Sequence, residues 1–295
     1  MKAPAPLPKL RLLPLGPIAD RPLTEWEQRL RKVEQEEALP PIPLAPLRVG
    51  SVPYLNAVPL TRGIEDQIVF APPSELARLL REGTLDAALV SVTEALLHDG
   101  YDILDGIAVA SLGEVKSVFL AHREPLEKLT QIFCDTASLT SVNLLRVLLA
   151  ERGLRPDFVP LPNYHDAPFF PAVLLIGDPA LDFVRAPHEH QIWDLGAAWF
   201  ELTQLPFVYA VWALRRGHVS AELRGQLREA KDLGLADLDA IVGERKEYDY
   251  NFRKDYLGWT IHYHLGPDEK RGLAKFVELL RQHVTHDVYE PHYVE

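Results

Sequence analysis

From Leu47 onward, short apolar runs alternate with stretches in which apolar residues recur at helical spacing. The runs that we predict as strands are "LRVGSV", "IVFA", "LDAALVSV", "QIFCDT", "DFVPLP", "AVLLIGD" and "QIWDLG". Helices are predicted for "SELARLLREG", "TEALLHDG" and "LTSVNLLRVLLAERG". Because fully apolar strands between helices are typical of a sheet covered on both faces, this pattern predicts an α/β fold.

Two further strand-like stretches, "KSVFLAH" and "FVYAVWALR", lie far apart in the chain and can carry it between two lobes. We therefore predict a first, discontinuous lobe from residues 47–121 and 207–295 and a second lobe from residues 122–206. A ligand site is expected in the cleft between the lobes, where strand ends and helix N-termini converge.

The first 46 residues differ from the rest in composition, since they hold ten of the 25 prolines. Proline fixes φ and removes backbone donors, so residues 1–46 are predicted to form a proline-rich extension outside the sheets. Thr24 can cap one helix over "EWEQRLRKVEQEEAL", with Glu27 as its capping-box partner. This helix can lie on the body of the protein or on a second subunit, which leaves a homodimer open.

The composition and charge of the chain limit the classes of partner that it is expected to bind. The chain has 295 residues, of which 47% are hydrophobic, with a net charge of −11 and a pI near 5.5. Binding to nucleic acid requires clustered cations, so we expect a small-molecule ligand and no nucleic acid. The single cysteine, Cys134, excludes an intramolecular disulfide. No apolar run is long enough to cross a bilayer, and two prolines interrupt "LRLLPLGPIA" as a signal-peptide core, so we expect a cytoplasmic protein without a membrane partner.

The stretch "DTASLTSVNLLRVLL", residues 135–149, places small hydroxyl side chains between a strand and the first turn of a helix. Free backbone N–H groups and the helix dipole favour an anion at such a position, near Ser138, Thr140 and Ser141. The alternative is an ordinary serine cap that binds no ligand.

Several single side chains at predicted element ends are also candidates. Ser117 opens "KSVFLAH" and would face the cleft, unless backbone groups satisfy its hydroxyl. Ser91, at the end of another strand, is a second residue that can face a ligand. Asp178 stands at a helix start, where it is a cap or, alternatively, a base. Tyr209 and Trp212 either wall a ring-shaped ligand or belong to the core.

Common catalytic signatures are missing from the sequence. It contains no GxGxxG or GxxxxGK[ST] motif, so no nucleotide cofactor is expected, and no GxSxG elbow. His283 and His286 can meet on one helix face, but no HExxH motif or third ligand accompanies them, so no metal is expected. Cys134 lies in an apolar strand and is predicted to be a small core residue.

The segment "VGSVPYLNAVPL" closely resembles the chorismate dehydratases, which belong to the futalosine route to menaquinone. The same resemblance extends to "DTASLTSVNLLRVLL", "AVLLIGDPAL", "DLGAAWFELTQLPFVYAVW" and "RKEYDYNFRKDYLGWTIHYHLG". It covers the chain from Arg48 to Val284 and rests on several motifs in the same order. "YLNAVPL" is similar to this branch and not to the sister branch, which makes a dihydroxynaphthoate from cyclic dehypoxanthine futalosine.

The resemblance implies a two-lobed type II periplasmic-binding-protein-like fold. In this fold, chorismate would lie between the lobes and be converted to 3-[(1-carboxyvinyl)oxy]benzoate and water. The family's site asparagine falls on Asn56 and its cleft serine on Ser117, which we predict as catalytic. The predicted substrate-binding residues are Tyr54, Ser91, Thr136, Ser138, Thr140, Ser141 and Asp178. The chain departs from the family at Val58, where a basic residue often stands.

The chemistry of this reaction explains an amide at the site. Loss of a ring hydroxyl and a ring proton yields an aromatic product, so the reaction needs little strong acid or base from the protein. Asn56 can orient the leaving hydroxyl or a carboxylate without adding charge beside a dianion. The substrate's own enolpyruvyl carboxylate is the hypothetical proton acceptor. A sister-branch enzyme and a non-catalytic solute-binding protein remain as alternatives.

Overall fold

Two β-sheets organise the computed structural model, which describes residues 47–134 and 139–295. The predicted extension, residues 1–46, lies outside the described residues, as do Thr136 and Ser138. The strands in chain order are β1 (Val49–Ser51), β2 (Val69–Phe70), β3 (Ala87–Ser91), β4 (Tyr101–Ser111), β5 (Val118–His122), β6 (Gln131–Cys134), β7 (Asp157–Pro160), β8 (Ala172–Ile176), β9 (Gln191–Asp194), β10 (Phe207–Arg215) and β11 (Tyr293–Val294).

The helices pack against these sheets. In chain order they are α1 (Pro73–Arg81), α2 (Val92–Leu96), α3 (Leu139–Glu151), α4 (Gly177–Arg185), α5 (Leu195–Thr203), α6 (Ala221–Ala236), α7 (Leu238–Glu244), α8 (Tyr250–Asp255) and α9 (Pro267–His283). Short 3₁₀ turns lie at Leu55–Leu60, Glu65–Gln67, Leu126–Lys128 and Tyr164–Phe169, and a π-helical turn lies at Tyr256–Thr260. None of the helices in the described part of the chain has the length and apolar character needed to span a membrane.

The first sheet has the strand order β11-β4-β10-β3-β1-β2. Strand β1 pairs in parallel with β2 and β3, whereas β10 runs antiparallel between β3 and β4. Strands β1 and β3 are almost wholly buried because helices cover the sheet, as their continuous apolar sequence predicts. This mixed sheet with covering helices confirms the predicted α/β fold.

The second sheet has the strand order β7-β6-β8-β5-β9. Strand β5 pairs with β8 along its full length, from Val118 opposite Ile176 to His122 opposite Ala172. The chain therefore passes from the first sheet to the second in residues 112–117, ahead of the predicted border after residue 121. It returns through residues 195–206, which contain α5. We retain the division into two lobes as a proposal, with β5 moved to the second.

Aromatic side chains pack the return segment against the first sheet. Trp199 of α5, Phe207 of β10 and Phe276 of α9 are all fully buried. Their rings meet edge to face, with centroids 5.1 Å apart for Trp199 and Phe207 and 4.9 Å apart for Phe207 and Phe276. Burial of a side chain of this size contributes about 1.5–3 kcal/mol, so these contacts hold the end of the second crossing in place.

Helix α6 supports the turn that follows β1. A Cβ atom on Gly234 of α6 would lie 1.9 Å from the carbonyl oxygen of Pro59, within the Leu55–Leu60 turn. Real Cβ atoms do not approach a backbone oxygen this closely, so only glycine allows α6 and the turn to pack as they do. The position of the turn thus depends on one residue that lies far along the chain.

Replacing Gly234 with alanine is expected to destabilise the protein by about 1–3 kcal/mol, because the added methyl must displace the backbone of Pro59. Urea unfolding followed by circular dichroism would measure this loss. Gly225→Ala on the same helix is the matched control, since a Cβ there meets nothing within 4 Å. The control should gain about 0.5–1 kcal/mol from helix propensity. Equal stability of the two variants would contradict the packing argument.

Candidate active site

A pocket lies where residues from both sheets converge. The first sheet and its connections contribute Val52, Tyr54, Asn56, Leu89, Val90, Ser91, Val109, Tyr209 and Ala210. The second sheet and its connections contribute Val118, Thr140, Ser141, Ile176 and Gly177, and the crossing segment contributes Val115 and Ser117. Among the described residues, no charged side chain lines this pocket. Any ligand here is therefore recognised by hydroxyl, amide and backbone groups in an otherwise apolar lining.

The Leu55–Leu60 turn places Asn56 in the pocket lining. Pro59 interrupts regular helix within the turn, and Leu55, Ala57 and Leu60 are buried. Asn56 lies between two buried neighbours, is itself only partly buried and lines the pocket. Core packing on both sides of Asn56 thus fixes the backbone from which its amide projects.

Ser117 lies at the end of the first crossing between the sheets. The preceding residue, Lys116, has a φ of 65°, a left-handed conformation that is uncommon for a residue with a side chain. The carbonyl oxygen of Ser117 accepts a hydrogen bond from the backbone N–H of Gly177 at 2.8 Å. Ser117 is fully buried and lines the pocket, which is where the sequence predicts it.

Tyr256 contacts Ser117. Its hydroxyl donates to Ser117 Oγ at 2.7 Å. The ring is fully buried and stacks on Phe252, with centroids 5.3 Å apart and an angle of 13° between the planes. Burial raises the pKa of this hydroxyl well above its ordinary value.

Our prediction of site residues did not include Tyr256. The residue lies within "RKEYDYNFRKDYLGWTIHYHLG", a segment that supports the family resemblance but that supplied no candidate residue. An aromatic residue among other apolar residues is indistinguishable from core by pattern alone. The signal that could have identified it is the density of tyrosines in a segment already tied to the family.

The predicted hydroxyl residues at the start of α3 differ in what the structure shows of them. Thr140 and Ser141 line the pocket and are buried. Thr140 Oγ1 accepts from the backbone N–H of Thr93 at 2.9 Å and donates to Thr93 Oγ1 at 3.1 Å, so its hydroxyl links α3 to α2. Thr136 and Ser138, predicted with them, lie outside the described residues. Anion binding by this group stays a prediction.

Three other predicted substrate-binding residues also lie near the pocket. Ser91 lines it and caps α2, with Oγ accepting from the backbone N–H of Glu94 at 3.4 Å. Tyr54 lines it and faces Gly177, where an added Cβ would come within 3.2 Å of the Tyr54 ring. Asp178 does not line the pocket. Its Oδ1 accepts from the backbone N–H of Leu55 at 3.4 Å, and burial is the main cause of its raised pKa.

Of the two predicted aromatic walls, only Tyr209 lines the pocket. Its hydroxyl pairs with Ser111 Oγ at 3.1 Å, and complete burial raises its pKa well above 10. Trp212 is fully buried in the core of the first sheet instead.

Val58, the position where the family often has a basic residue, lines a separate groove with Arg62 and Arg245. Both arginines are already paired. Arg62 contacts Asp237 at 3.2 Å and Glu244 at 2.9 Å, and Arg245 contacts Glu247. Their charge is therefore largely offset by neighbouring carboxylates, so this groove adds little net positive charge beside the pocket.

The fold is of the periplasmic-binding-protein-like class, as predicted. Protein AF1704 from Archaeoglobus fulgidus matches it with a TM-score of 0.63 at 18% identity, over 79% of this chain and 96% of that one. The periplasmic aliphatic sulphonate binding protein SsuA from Escherichia coli matches with a TM-score of 0.53 at 16% identity, over 84% of this chain and 93% of that one. At these identities the likeness concerns the fold alone.

The sequence match is more specific. The sequence model of a family described as menaquinone biosynthesis matches residues 47–282. A chorismate dehydratase from Thermus thermophilus is 35% identical over 266 residues, which cover 80% of this chain and 96% of that protein. The chain belongs to the menaquinone biosynthesis family, which confirms the predicted resemblance.

Proposed function

We propose that this protein is a chorismate dehydratase, which converts chorismate to 3-[(1-carboxyvinyl)oxy]benzoate and water in menaquinone biosynthesis. The observation that carries the proposal is the 35% identity with the Thermus thermophilus chorismate dehydratase over 80% of the chain. The pocket adds independent support, since it presents the amide and hydroxyl side chains that the resemblance assigns to the reaction.

The uncharged lining suits a substrate with two carboxylates. The protein has a net charge of −11, so long-range attraction does not hold a dianion in this pocket. Hydrogen bonds to charged groups contribute about 1.5–3 kcal/mol each, so a few short-range donors are enough for micromolar binding, which corresponds to about −8 kcal/mol. Donors of this kind on the pocket lining include Asn56, Ser117 and Ser141.

In the proposed reaction, the ring C–O bond to the leaving hydroxyl breaks and a ring C–H proton is removed, which leaves an aromatic ring. The substrate's enolpyruvyl carboxylate accepts that proton and passes it to the departing hydroxide, so one water leaves and the charge stays balanced. Asn56 orients the leaving hydroxyl or the accepting carboxylate, and Ser117 donates to the departing oxygen. Asp178, behind the Leu55–Leu60 turn, is not needed as a base.

The decisive experiment incubates the purified full chain with chorismate and follows the product by liquid chromatography and mass spectrometry. We expect the aromatic enol ether to form with loss of one water. Turnover of cyclic dehypoxanthine futalosine but not of chorismate would favour the sister-branch enzyme. Tight binding of a small anion without turnover of either compound would favour a solute-binding protein.

Ser141→Ala is expected to raise KM for chorismate several-fold with little change in kcat. A hydroxyl that anchors a carboxylate acts equally in the ground state and in the transition state, so its loss weakens binding uniformly. Steady-state kinetics would measure both constants. Ser220→Ala is a matched control, because it removes the cap of α6, whose Oγ accepts from Leu223 N–H, and should cost about 1 kcal/mol of stability with unchanged KM. A pure kcat effect in Ser141→Ala would argue against anchoring.

A further inference from the structure

We propose that Tyr256 is a positioning residue, which holds the Ser117 hydroxyl in the orientation that the reaction requires. This inference rests on the proposed function, because it concerns the same site. It goes beyond that function by assigning a role to a side chain that does not line the pocket but donates a hydrogen bond to a residue that does.

The hydrogen-bond directions carry the first step of the argument. A phenol has one hydrogen, and Tyr256 gives it to Ser117 Oγ at 2.7 Å. Ser117 must then direct its own hydrogen elsewhere. Within the described residues its hydroxyl donates to the carbonyl oxygen of Val115 over a long distance of 3.5 Å. A ligand acceptor at a shorter distance can replace this long bond, so the Ser117 hydroxyl is available to donate to a ligand in the pocket.

The protonation state of Tyr256 keeps this arrangement stable. Burial raises the pKa of its hydroxyl far above neutral pH, so the side chain keeps the hydrogen that it donates to Ser117. A tyrosinate would accept from Ser117 and turn the Ser117 hydrogen away from the pocket. The desolvated environment of the ring thus preserves the donor direction.

The local backbone and the ring packing hold Tyr256 rigidly. The residue begins the π-helical turn Tyr256–Thr260 that follows α8, and its carbonyl accepts from the N–H of Ile261 at 3.0 Å. Its ring stacks on Phe252, which also contacts the Tyr248 ring and lies under the guanidinium of Arg185, 4.1 Å from the ring centroid. Single π-helical turns frequently occur at functional sites, where they redirect a side chain by about one residue position.

Tyr256→Phe tests the proposal, because it keeps the stacked ring and removes only the hydroxyl. We expect kcat for chorismate to fall about 10- to 100-fold with KM changed less than threefold, as for the loss of precise orientation. In a Ser117→Ala background the same change should have a smaller effect, since the coupled hydroxyl is already gone. Parent-like kcat in Tyr256→Phe, or full additivity with Ser117→Ala, would overturn the proposal.

Tyr263→Phe is the matched control. Tyr263 is also buried, and its hydroxyl has no hydrogen-bond partner among the described residues, so its removal should leave kcat unchanged. High-resolution crystal structures of the parent and of Tyr256→Phe give a readout that does not depend on activity. We expect the Ser117 side chain to rotate in the variant. An unchanged Ser117 orientation would overturn the positioning role even if the chain does not act on chorismate.

Discussion

Asn56→Ala is expected to lower kcat for chorismate by about 10²- to 10³-fold while the variant still binds the substrate. A donor or acceptor that is already oriented toward the leaving hydroxyl acts mainly in the transition state, and the loss of one such group typically has an effect of this size. Single-turnover kinetics would measure the chemical step, and isothermal titration calorimetry would measure the dissociation constant separately.

A control asparagine is available far from the pocket. Asn163 caps the 3₁₀ turn Tyr164–Phe169, where its side-chain oxygen accepts from the backbone N–H of Asp166 at 2.8 Å. Asn163→Ala should lose some stability and keep its kcat. If Asn56→Ala instead lost binding and kept kcat among the molecules that bind, the amide would be an anchor for a carboxylate and not part of the chemical step.

The alternation of apolar runs with helical stretches was sufficient to predict the α/β fold, because a strand that is buried on both faces is apolar at nearly every position. The border between the sheets was harder to place. "KSVFLAH" has the same apolar character whether it crosses between lobes or pairs within one, and only the register with β8 assigns Val118–His122 to the second sheet. Pairing partners are a long-range property that local pattern does not contain.

The same limit explains the outcome for the site. Asn56 and Ser117 were predicted from motifs and element ends, and the structure places both on the pocket lining. The hydroxyl of Ser117 accepts a hydrogen bond from Tyr256, which lies 139 residues away in the sequence and was not predicted. Asp178 was also predicted from its position at a helix start, but its carboxylate faces Leu55 and not the pocket. The direction of this carboxylate depends on how α4 packs against a turn that is distant in the sequence.

Tyr209 and Trp212 were treated as equal candidates for the pocket wall, and the structure places Tyr209 at the pocket and Trp212 in the core. The register of β10 against β4 shifts between Val208 and Ala210 and again between Val211 and Ala213. Because such irregularities interrupt the regular alternation of side chains along a strand, the sequence pattern alone could not decide which ring reaches the pocket.

Asn56→Asp is expected to bind chorismate about 10²- to 10³-fold more weakly than Asn56→Ala at neutral pH. The substitution keeps the shape of the side chain but places a carboxylate beside a dianion, in a pocket whose described lining carries no compensating charge. Two like charges 4 Å apart repel by about 4 kcal/mol at an effective dielectric constant of about 20, which corresponds to the upper end of this range.

The pH dependence of binding tests whether charge repulsion causes the weaker binding of Asn56→Asp. Burial and the nearby ligand charges both raise the pKa of the introduced carboxyl, so it becomes neutral as the pH falls through that raised value. Binding by Asn56→Asp should therefore recover toward pH 5, whereas binding by Asn56→Ala should change little, because the carboxylates of chorismate stay ionised across this range. Calorimetric titrations of both variants between pH 5 and pH 8 would measure the difference. If Asn56→Asp instead turned over chorismate as fast as the parent at neutral pH, an ionised base at this position would be productive, and proton transfer to the substrate's own carboxylate would have to be abandoned.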